Sequence, residues 1–133
     1  MGVTISRSIL IGMKKASGAA APREACGLLL GSGNGITHFT ECANVSDAPE
    51  IRFEIDPAAL FAALRAERAG GPALLGYWHS HPSGDAAPSR TDAAMAAPDG
   101  KLWIILAGED VTCWRSGELG QWNRFAPEAL ILD

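Results

Sequence analysis

The sequence has 133 residues, of which 47% are hydrophobic and 20% are charged, and its formal net charge at pH 7 is −4. This composition is typical of one folded globular domain, and we predict a single domain over residues 1–133. The basic residues are scattered, which argues against a nucleic-acid partner. No apolar run approaches the roughly 20 residues that a membrane-spanning helix requires.

The N-terminal pattern and the cysteines indicate a cellular compartment. A short apolar patch precedes the basic pair Lys14-Lys15, whereas a secretory signal peptide carries its basic residues first. The three cysteines, Cys26, Cys42 and Cys113, are far apart and include no C-x-x-C pair. This spacing is typical of reduced, buried thiols. The sequence therefore predicts a cytoplasmic chain without a cysteine-based metal site.

The first half of the chain predicts one helix followed by three strands. Apolar residues at helical spacing predict a helix over residues 6–20, which Pro22 ends. The stretch ACGLLLGSGNGITHFTEC predicts two strands joined by a glycine-rich turn at residues 31–35. The alternating stretch IRFEI predicts a half-buried strand over residues 51–55.

The middle of the chain predicts two further helices around a central strand. Asp56-Pro57 is a helix start, because aspartate caps the first turn and proline fits its first position. This helix ends at the glycine and proline cluster of residues 70–72. The apolar run ALLGYW, residues 73–78, predicts a central strand. A short helix is predicted over residues 90–97.

The C-terminal third predicts three closing strands, KLWIILA, VTCWR and LGQWNRF, with turns at residues 108–110 and 116–117. The tail APEALILD can pack on the domain or form a homodimer contact. Helices and mostly antiparallel strands alternate without a βαβ repeat. The sequence therefore predicts an α+β fold, a mixed, mostly antiparallel sheet flanked by helices.

A polar cluster interrupts this apolar sequence at HSHPSGDAAPSRTD. In a strand the side chains at i and i+2 point to the same face, so His79 and His81 project together from the end of the predicted central strand. Two imidazoles and one carboxylate form a hydrolytic zinc site with a fourth position left for water. Asp92 is the candidate carboxylate, in the first turn of a helix that Ser89 would cap.

Each half of this cluster has an alternative interpretation that needs no metal. The Ser89–Asp92 spacing also fits an acidic capping box at a helix start, and an H-x-H pair also occurs on surface strands. The chain has only three histidines, so the two patterns together favour a metal site.

The cluster resembles the JAMM signature H-[ST]-H-P-x(6)-S-x-x-D of the MPN-plus metalloproteases. The matching residues are His79, Ser80, His81, Pro82, Ser89 and Asp92. The segment PREACGLLLG is similar to the family's upstream glutamate segment and places that glutamate at Glu24. The stretch NVSDAPEIRFEIDPAAL also resembles bacterial members, so the similarity covers roughly four-fifths of the chain. The resemblance implies the JAMM/MPN fold, which is cytidine-deaminase-like, in a small prokaryotic JAB-type protein.

The resemblance also implies a site and a reaction. His79, His81 and Asp92 would bind Zn²⁺, and no other cofactor is implied. Glu24 would act as general base and then general acid, and Ser89 would donate a hydrogen bond to the oxyanion. This machinery hydrolyses a peptide or isopeptide bond. The implied substrate is a ubiquitin-like or sulfur-carrier protein, cut after its C-terminal Gly-Gly.

Two other functions fit parts of the pattern. The first is a non-catalytic MPN-type scaffold, although such proteins usually lack one or more ligands. The second is a RadC-like protein linked with DNA repair, although RadC-type proteins have asparagine where this chain has Ser80 and usually carry an extra DNA-binding region.

The remaining polar and aromatic residues are predicted to be structural. Ser80 should face away from the two histidines, Asp85 is interpreted as a solvated loop carboxylate, and His38 as a strand residue. The four tryptophans are interpreted as core or sheet-face residues, one of which can line a substrate groove. They are Trp78, Trp103, Trp114 and Trp122.

Overall fold

The computed structural model of the protein describes residues 2–133. Within this range the chain forms three helices, α1 (Arg7–Ala20), α2 (Pro57–Arg68) and α3 (Arg90–Met95). The strands are β1 (Val3–Ile5), β2 (Cys26–Ser32), β3 (Gly35–Cys42), β4 (Ala73–Ser80), β5 (Leu102–Ala107), β6 (Asp110–Gln121), β7 (Phe125–Glu128) and β8 (Leu130–Leu132).

All of these strands belong to one mixed sheet with the order β7-β6-β5-β4-β2-β3-β1-β8. The pairs β2/β3, β2/β4, β5/β6 and β6/β7 are antiparallel. The pairs β4/β5, β1/β3 and β1/β8 are parallel. The predicted α+β class, with a mostly antiparallel sheet and flanking helices, is confirmed. Strand β4 lies between β2 and β5, so its C-terminal end is deep in the molecule.

Each of the first two helices begins at a capping side chain, and the Asp56 cap is the one that the sequence predicted. Ser6 caps α1, and its hydroxyl accepts a hydrogen bond from the Ile9 amide at 3.2 Å. Ile9 and Met13 share the buried face of this helix, which packs beside β3. Asp56 caps α2 by accepting from the Ala58 amide at 3.0 Å. Both caps satisfy amides that have no partner within the helix.

The centre of the sheet is apolar, and its ends carry the polar residues. Leu29, Trp78 and Ile104, from β2, β4 and β5, are each fully buried. Strand β4 continues two residues beyond the predicted Trp78 and ends at Ser80. Helix α3 ends at Met95, two residues earlier than predicted. In the part of the chain that the structure describes, no helix is long and apolar enough to cross a bilayer.

The predicted strand over residues 51–55 is wrong, because these residues do not join the sheet. Only Ile55 forms a bridge, with Asn44. The Asn44 side chain takes the place of a neighbouring strand: its amide donates to the Arg52 carbonyl at 3.1 Å and its oxygen accepts from the Glu54 amide at 3.1 Å. The alternation of apolar and polar residues in this segment reflects one buried side chain, Phe53, rather than hydrogen-bonded pairing with a neighbouring strand.

The predicted turn at residues 116–117 is also wrong, because β6 runs through it to Gln121. Ser116 is buried and continues the pairing with the segment before β5. Its amide donates to the Lys101 carbonyl at 2.9 Å, and its carbonyl accepts from the Gly100 amide at 3.0 Å. The β6/β7 pairing becomes irregular between Ser116 and Gln121, and the turn into β7 comes only after Gln121.

The two ends of the described chain meet at one edge of the sheet. Strand β1, which the sequence did not predict, pairs in parallel with β3 and with β8. The C-terminal tail therefore packs as an edge strand. The three cysteines are free thiols, Cys26 and Cys113 buried and Cys42 partly exposed. Burial raises the pKa of Cys26 and Cys113 to about 12.

Candidate metal centre

The two histidines of the H-x-H pair meet at the C-terminal end of β4. His79 lies opposite Cys26 of β2 and Ile105 of β5, and its side chain is fully buried. The amide of His81 donates to the Leu106 carbonyl at 2.8 Å, which fixes the residue just beyond the strand. The two Nε2 atoms lie 3.0 Å apart. The strand periodicity therefore brings both imidazoles to one point, as predicted.

Ser80, which lies between the two histidines in the sequence, contacts the backbone of Ala25. Its hydroxyl accepts a hydrogen bond from the Ala25 amide at 2.9 Å, and its own amide donates to the Ala25 carbonyl at 3.0 Å. Ser80 therefore ties the end of β4 to the residue that follows Glu24. This is the structural role that the sequence predicted.

Asp92 joins the histidines from the first turn of α3. Its Oδ1 lies 3.1 Å from Nε2 of His79, and its Oδ2 lies 3.2 Å from Nε2 of His81. A capping box fixes this carboxylate: the Ser89 amide donates to Oδ2 at 2.9 Å, and the Asp92 amide donates to the Ser89 hydroxyl at 3.0 Å. The capping box and the convergence on the histidines are both present. The capping box orients the Asp92 carboxylate toward the two imidazoles.

The charges of the three groups follow from their burial and contacts. Burial alone would raise the pKa of Asp92, but the hydrogen bonds from His79 and His81 hold it well below the usual range. Burial lowers the pKa of His79 despite its contact with Asp92. For His81, the hydrogen bonds to Asp92 and to the Asp85 carbonyl outweigh burial and raise the pKa. Asp92 and His79 therefore favour the ionised and the neutral form that metal ligands need, whereas His81 would release its proton on binding a metal ion.

The outer ring atoms set the orientation of each imidazole. Nδ1 of His81 lies 2.7 Å from the Asp85 carbonyl oxygen, an acceptor, so Nδ1 carries a proton and Nε2 is the ring atom directed at His79 and Asp92. The ring of His79 stacks on Phe53 with centroids 4.4 Å apart. Within residues 2–133, Nδ1 of His79 has no hydrogen-bond partner.

Glu24 approaches the same point from the segment between α1 and β2. Its side chain is only 5% exposed, and within the described chain its Oε1 has no hydrogen-bond partner. Burial raises its pKa from 4.5 to about 7, with His81 opposing and Asp92 reinforcing the rise. Its backbone is fixed at both ends: the amide donates to the Pro49 carbonyl at 2.7 Å, and the carbonyl accepts from the Asn44 side chain at 3.0 Å.

Two sets of side chains could hold a metal ion here. Glu24, His79 and His81 offer ligand atoms that all lie within 4.8 Å of one another, a cluster compatible with a metal site. Asp92 is closer to both histidines, at 3.1 and 3.2 Å, and it is the more readily ionised carboxylate. Two imidazole nitrogens and one carboxylate are a donor set that fits zinc. The shorter distances favour Asp92 as the third ligand.

A cleft of about 430 Å³ opens onto this cluster. Glu24, His81 and Ser89 contribute polar groups to its lining, and Ile51 and Trp122 contribute large apolar side chains. Clefts of this size and mixed lining bind small ligands or peptide segments. A substrate that enters the cleft therefore meets the cluster at His81, beside Glu24 and Ser89.

Other polar and aromatic residues lie where their patterns allow. The Asp85 side chain is exposed as predicted, but its backbone carbonyl orients His81. His38 is an exposed residue of β3, away from the centre. Trp78 and Trp103 are buried, and Trp114 is partly exposed.

The sequence indicated no site role for Asn44 and Phe53, and it left open which of the four tryptophans lines the cleft. Asn44 was interpreted only as loop, Phe53 as a strand residue and Trp122 as part of a strand. Asn44 precedes a segment rich in turn-forming residues, where a side chain often replaces backbone partners. The Trp122-Asn123 pair is a turn signal only through its asparagine. Phe53 offered no signal of its contact with His79.

Comparison with known proteins places the chain among related sequences. A family model described as prokaryotic homologs of the JAB domain matches residues 7–117. A desampylase of Haloferax volcanii is 32% identical over 102 residues, covering 75% of this chain and 73% of the relative. A probable TtuB-protein conjugate cleaving protease of Thermus thermophilus is 39% identical over 76 residues. That match covers 57% of this chain and 51% of the relative, so the chain spans about half of that protein.

Solved structures agree with this placement. A protein from Desulfitobacterium hafniense has a TM-score of 0.83 at 25% identity, covering 98% of this chain and 92% of the other. A JAB1/MPN domain protein from Archaeoglobus fulgidus has a TM-score of 0.61 at 21% identity, covering 98% and 99%, and supports the fold alone. The resemblance inferred from the signature is confirmed, and the chain belongs to the prokaryotic JAB domain family.

Proposed function

We propose that this protein is a zinc-dependent isopeptidase of the JAB type. It hydrolyses a peptide or isopeptide bond after the C-terminal Gly-Gly of a ubiquitin-like or sulfur-carrier protein. The observation that carries the proposal is the convergence of two imidazoles and one ionised carboxylate at 3.0–3.2 Å, beside a buried glutamate. The names of the two relatives, a desampylase and a conjugate cleaving protease, support this class of substrate.

His79, His81 and Asp92 would hold the zinc ion. When bound, zinc supplies a positive charge that polarises a carbonyl group and lowers the pKa of a water molecule in contact with it, from about 15.7 to near 7. The protein residues keep the site dry and ordered: Phe53 covers one imidazole, and the Asp85 carbonyl orients the other. Such outer contacts orient metal ligands and strengthen metal binding.

Glu24 moves the proton. Its carboxylate takes a proton from the attacking water and returns it to the nitrogen of the leaving amine. A base works best when its pKa lies near the working pH, and burial raises the pKa of Glu24 to about 7. Because one Oε atom is buried without a partner in the described chain, the carboxylate is free to make this contact.

Ser89 stabilises the charge that develops on the carbonyl oxygen. Its hydroxyl oxygen already accepts from the Asp92 amide, so its own hydrogen is available to donate into the cleft. A donor held in place before the reaction lowers the barrier without reorganisation at the moment of reaction. The capping box therefore both orients a ligand and positions this donor.

The test is cleavage of carrier-protein fusions. The full chain, purified with zinc, is incubated with a panel of ubiquitin-like and sulfur-carrier proteins, each joined through its Gly-Gly terminus to a lysine-containing partner. Mass spectrometry should locate a cut after the second glycine in at least one fusion, and Glu24→Gln should leave it intact. The proposal fails if the zinc-loaded chain cuts at no Gly-Gly junction in the panel.

A further inference from the structure

The cleft has one wall residue that the proposed reaction does not explain. Trp122 lines the cleft with 46% of its surface exposed. It lies in the turn between β6 and β7, outside residues 7–117, the part of the chain that the family model matches. The catalytic groups Glu24 and Ser89 lie inside that part. Trp122 therefore reaches the cleft from a hairpin turn that lies C-terminal to the segment matched by the family model.

The backbone of this turn is unfavourable for tryptophan. The Arg124 amide donates to the Gln121 carbonyl at 3.1 Å, which closes a tight turn. Its two central residues, Trp122 and Asn123, have φ values of 57° and 51°. Positive φ at both positions is the requirement of a type I′ turn, which favours asparagine, aspartate and glycine. Asn123 suits its position, whereas a bulky side chain at Trp122 does not.

The side chain of Trp122 offsets this cost through contacts beside Ser89. Its indole N–H donates to the Pro88 carbonyl at 2.9 Å, and the Gln121 side chain donates to the same oxygen at 3.2 Å. The Arg90 guanidinium lies 4.9 Å from the centre of the indole ring. Pro88 and Arg90 flank Ser89 in the sequence. The turn therefore fixes the indole next to the serine that faces the cleft.

The lining of the cleft limits what can lie against this ring. Within residues 2–133, Glu24, Glu50 and Asp85 contribute carboxyl groups to it, whereas Arg90 lies against the indole without lining the cleft. An acidic segment is therefore disfavoured. A flat indole face suits an extended backbone of small residues, because such a backbone can pack along the ring without a bulky side chain between them.

We infer that Trp122 is a substrate-binding residue: its exposed face holds an extended segment of small, non-acidic residues beside Ser89, the kind of tail that the proposed function puts on the acyl side of the scissile bond. This inference rests on the proposed function and adds to it the residue that selects the tail. Trp122 contributes binding energy rather than a reacting group.

The test measures binding without catalysis. The full-length Glu24→Gln protein, loaded with zinc, is titrated by calorimetry with a short uncharged peptide that ends in Gly-Gly amide. The Trp122→Asn substitution is then introduced into the Glu24→Gln protein, because asparagine suits the turn and removes the ring. We expect the peptide Kd to rise about tenfold or more, as for other aromatic side chains that a bound partner covers, while the melting temperature stays the same or rises. Trp122→Phe, which keeps a ring, should restore most of the affinity.

Leu119→Ala is the matched control, because Leu119 is a 77% exposed apolar residue of β6 that does not line the cleft. It should leave the Kd unchanged. Equal affinity in the Trp122→Asn protein, or no peptide binding by the Glu24→Gln protein, overturns the inference. Cleavage of carrier fusions by the unaltered chain is scored separately. If the unaltered chain cleaves fusions but peptide binding does not depend on Trp122, only this inference is wrong. If peptide binding depends on Trp122 but the unaltered chain cleaves no fusion, only the proposed function is wrong.

Discussion

The Nε2 atoms of His79 and His81 lie 3.0 Å apart, and each is within 3.2 Å of a different oxygen of Asp92. Two imidazolium ions at this separation would repel each other strongly in a buried site. Burial lowers the pKa of His79, so one ring at least is neutral near pH 7. Three side chains whose donor atoms converge in this way are preorganised for a cation.

Metal removal should therefore destabilise the folded protein. Binding to the native state alone adds about 2.7 kcal/mol when free metal is 100-fold above its Kd. For a domain of this size the melting temperature should fall by roughly 5–15 °C in a chelator and recover with added zinc. Differential scanning calorimetry measures both.

His38→Ala is the control for this experiment, because His38 is exposed on β3 and lies outside the cluster. Its melting temperature should respond to the chelator as the unaltered protein does. A melting temperature that ignores both chelator and zinc in the unaltered protein would contradict the metal assignment.

Glu24→Gln and His81→Ala should separate chemistry from metal binding. Removing the base should leave one zinc per chain and lower kcat by about 10²–10⁴-fold. Removing a ligand should abolish both zinc binding and turnover, because the site loses one of three donors. Metal analysis and steady-state kinetics are run on the same preparations. Full activity in Glu24→Gln would show that the base is another group.

Ser89 should contribute to catalysis and to stability by different amounts. Ser89→Ala removes the helix cap, which should cost about 1 kcal/mol of unfolding free energy. It also removes the oxyanion donor, which should lower kcat by about 10²–10³-fold. Ser89→Thr keeps both a cap and a hydroxyl and should retain most of the activity. A kcat for Ser89→Ala that falls no more than for Ser89→Thr would leave Ser89 as a cap only.

The metal-free protein should lose stability as the pH rises, because of Glu24. Burial raises its folded pKa from 4.5 to about 7, so the folded state favours the protonated carboxyl. This contribution is fully present below pH 4.5 and is lost as the pH passes through 7. Charging Glu24 should therefore cost on the order of 2–3 kcal/mol between pH 5 and pH 8.

The difference between the metal-free unaltered protein and metal-free Glu24→Gln isolates this effect from that of the neighbouring His81 and Asp92. Denaturant unfolding in a chelator should find Glu24→Gln the more stable of the two at pH 8 and the two nearly equal at pH 5. Parallel pH profiles for the two proteins would mean that Glu24 does not titrate in this range.

Local signals in the sequence were sufficient to predict those features whose geometry is set by residues close together in the chain. The period of two along β4 placed His79 and His81 together, and the capping pattern placed Asp92 in the first turn of α3. The start of α2 followed from Asp56 and its proline in the same way. These features depend on residues at most four positions apart, and the tertiary contacts around them agree with the local pattern.

The remaining features depend on partners that are distant in the sequence. Residues 51–55 alternate as a strand does, but the Asn44 side chain satisfies their backbone and Phe53 packs on His79. The turn expected after Ser116 is absent because that residue bonds to the segment before β5. The position of Glu24 came only from family resemblance, since a lone glutamate before a strand has no local signature.

The most direct test of the account is the position of bound zinc. Crystals grown with zinc and measured on both sides of its absorption edge should give one strong anomalous peak per chain. The peak should lie about 2.0–2.2 Å from Nε2 of His79, Nε2 of His81 and an oxygen of Asp92, with Glu24 outside the coordination sphere. A peak bound by other side chains, or no peak at this position in zinc-saturated crystals, would contradict the account.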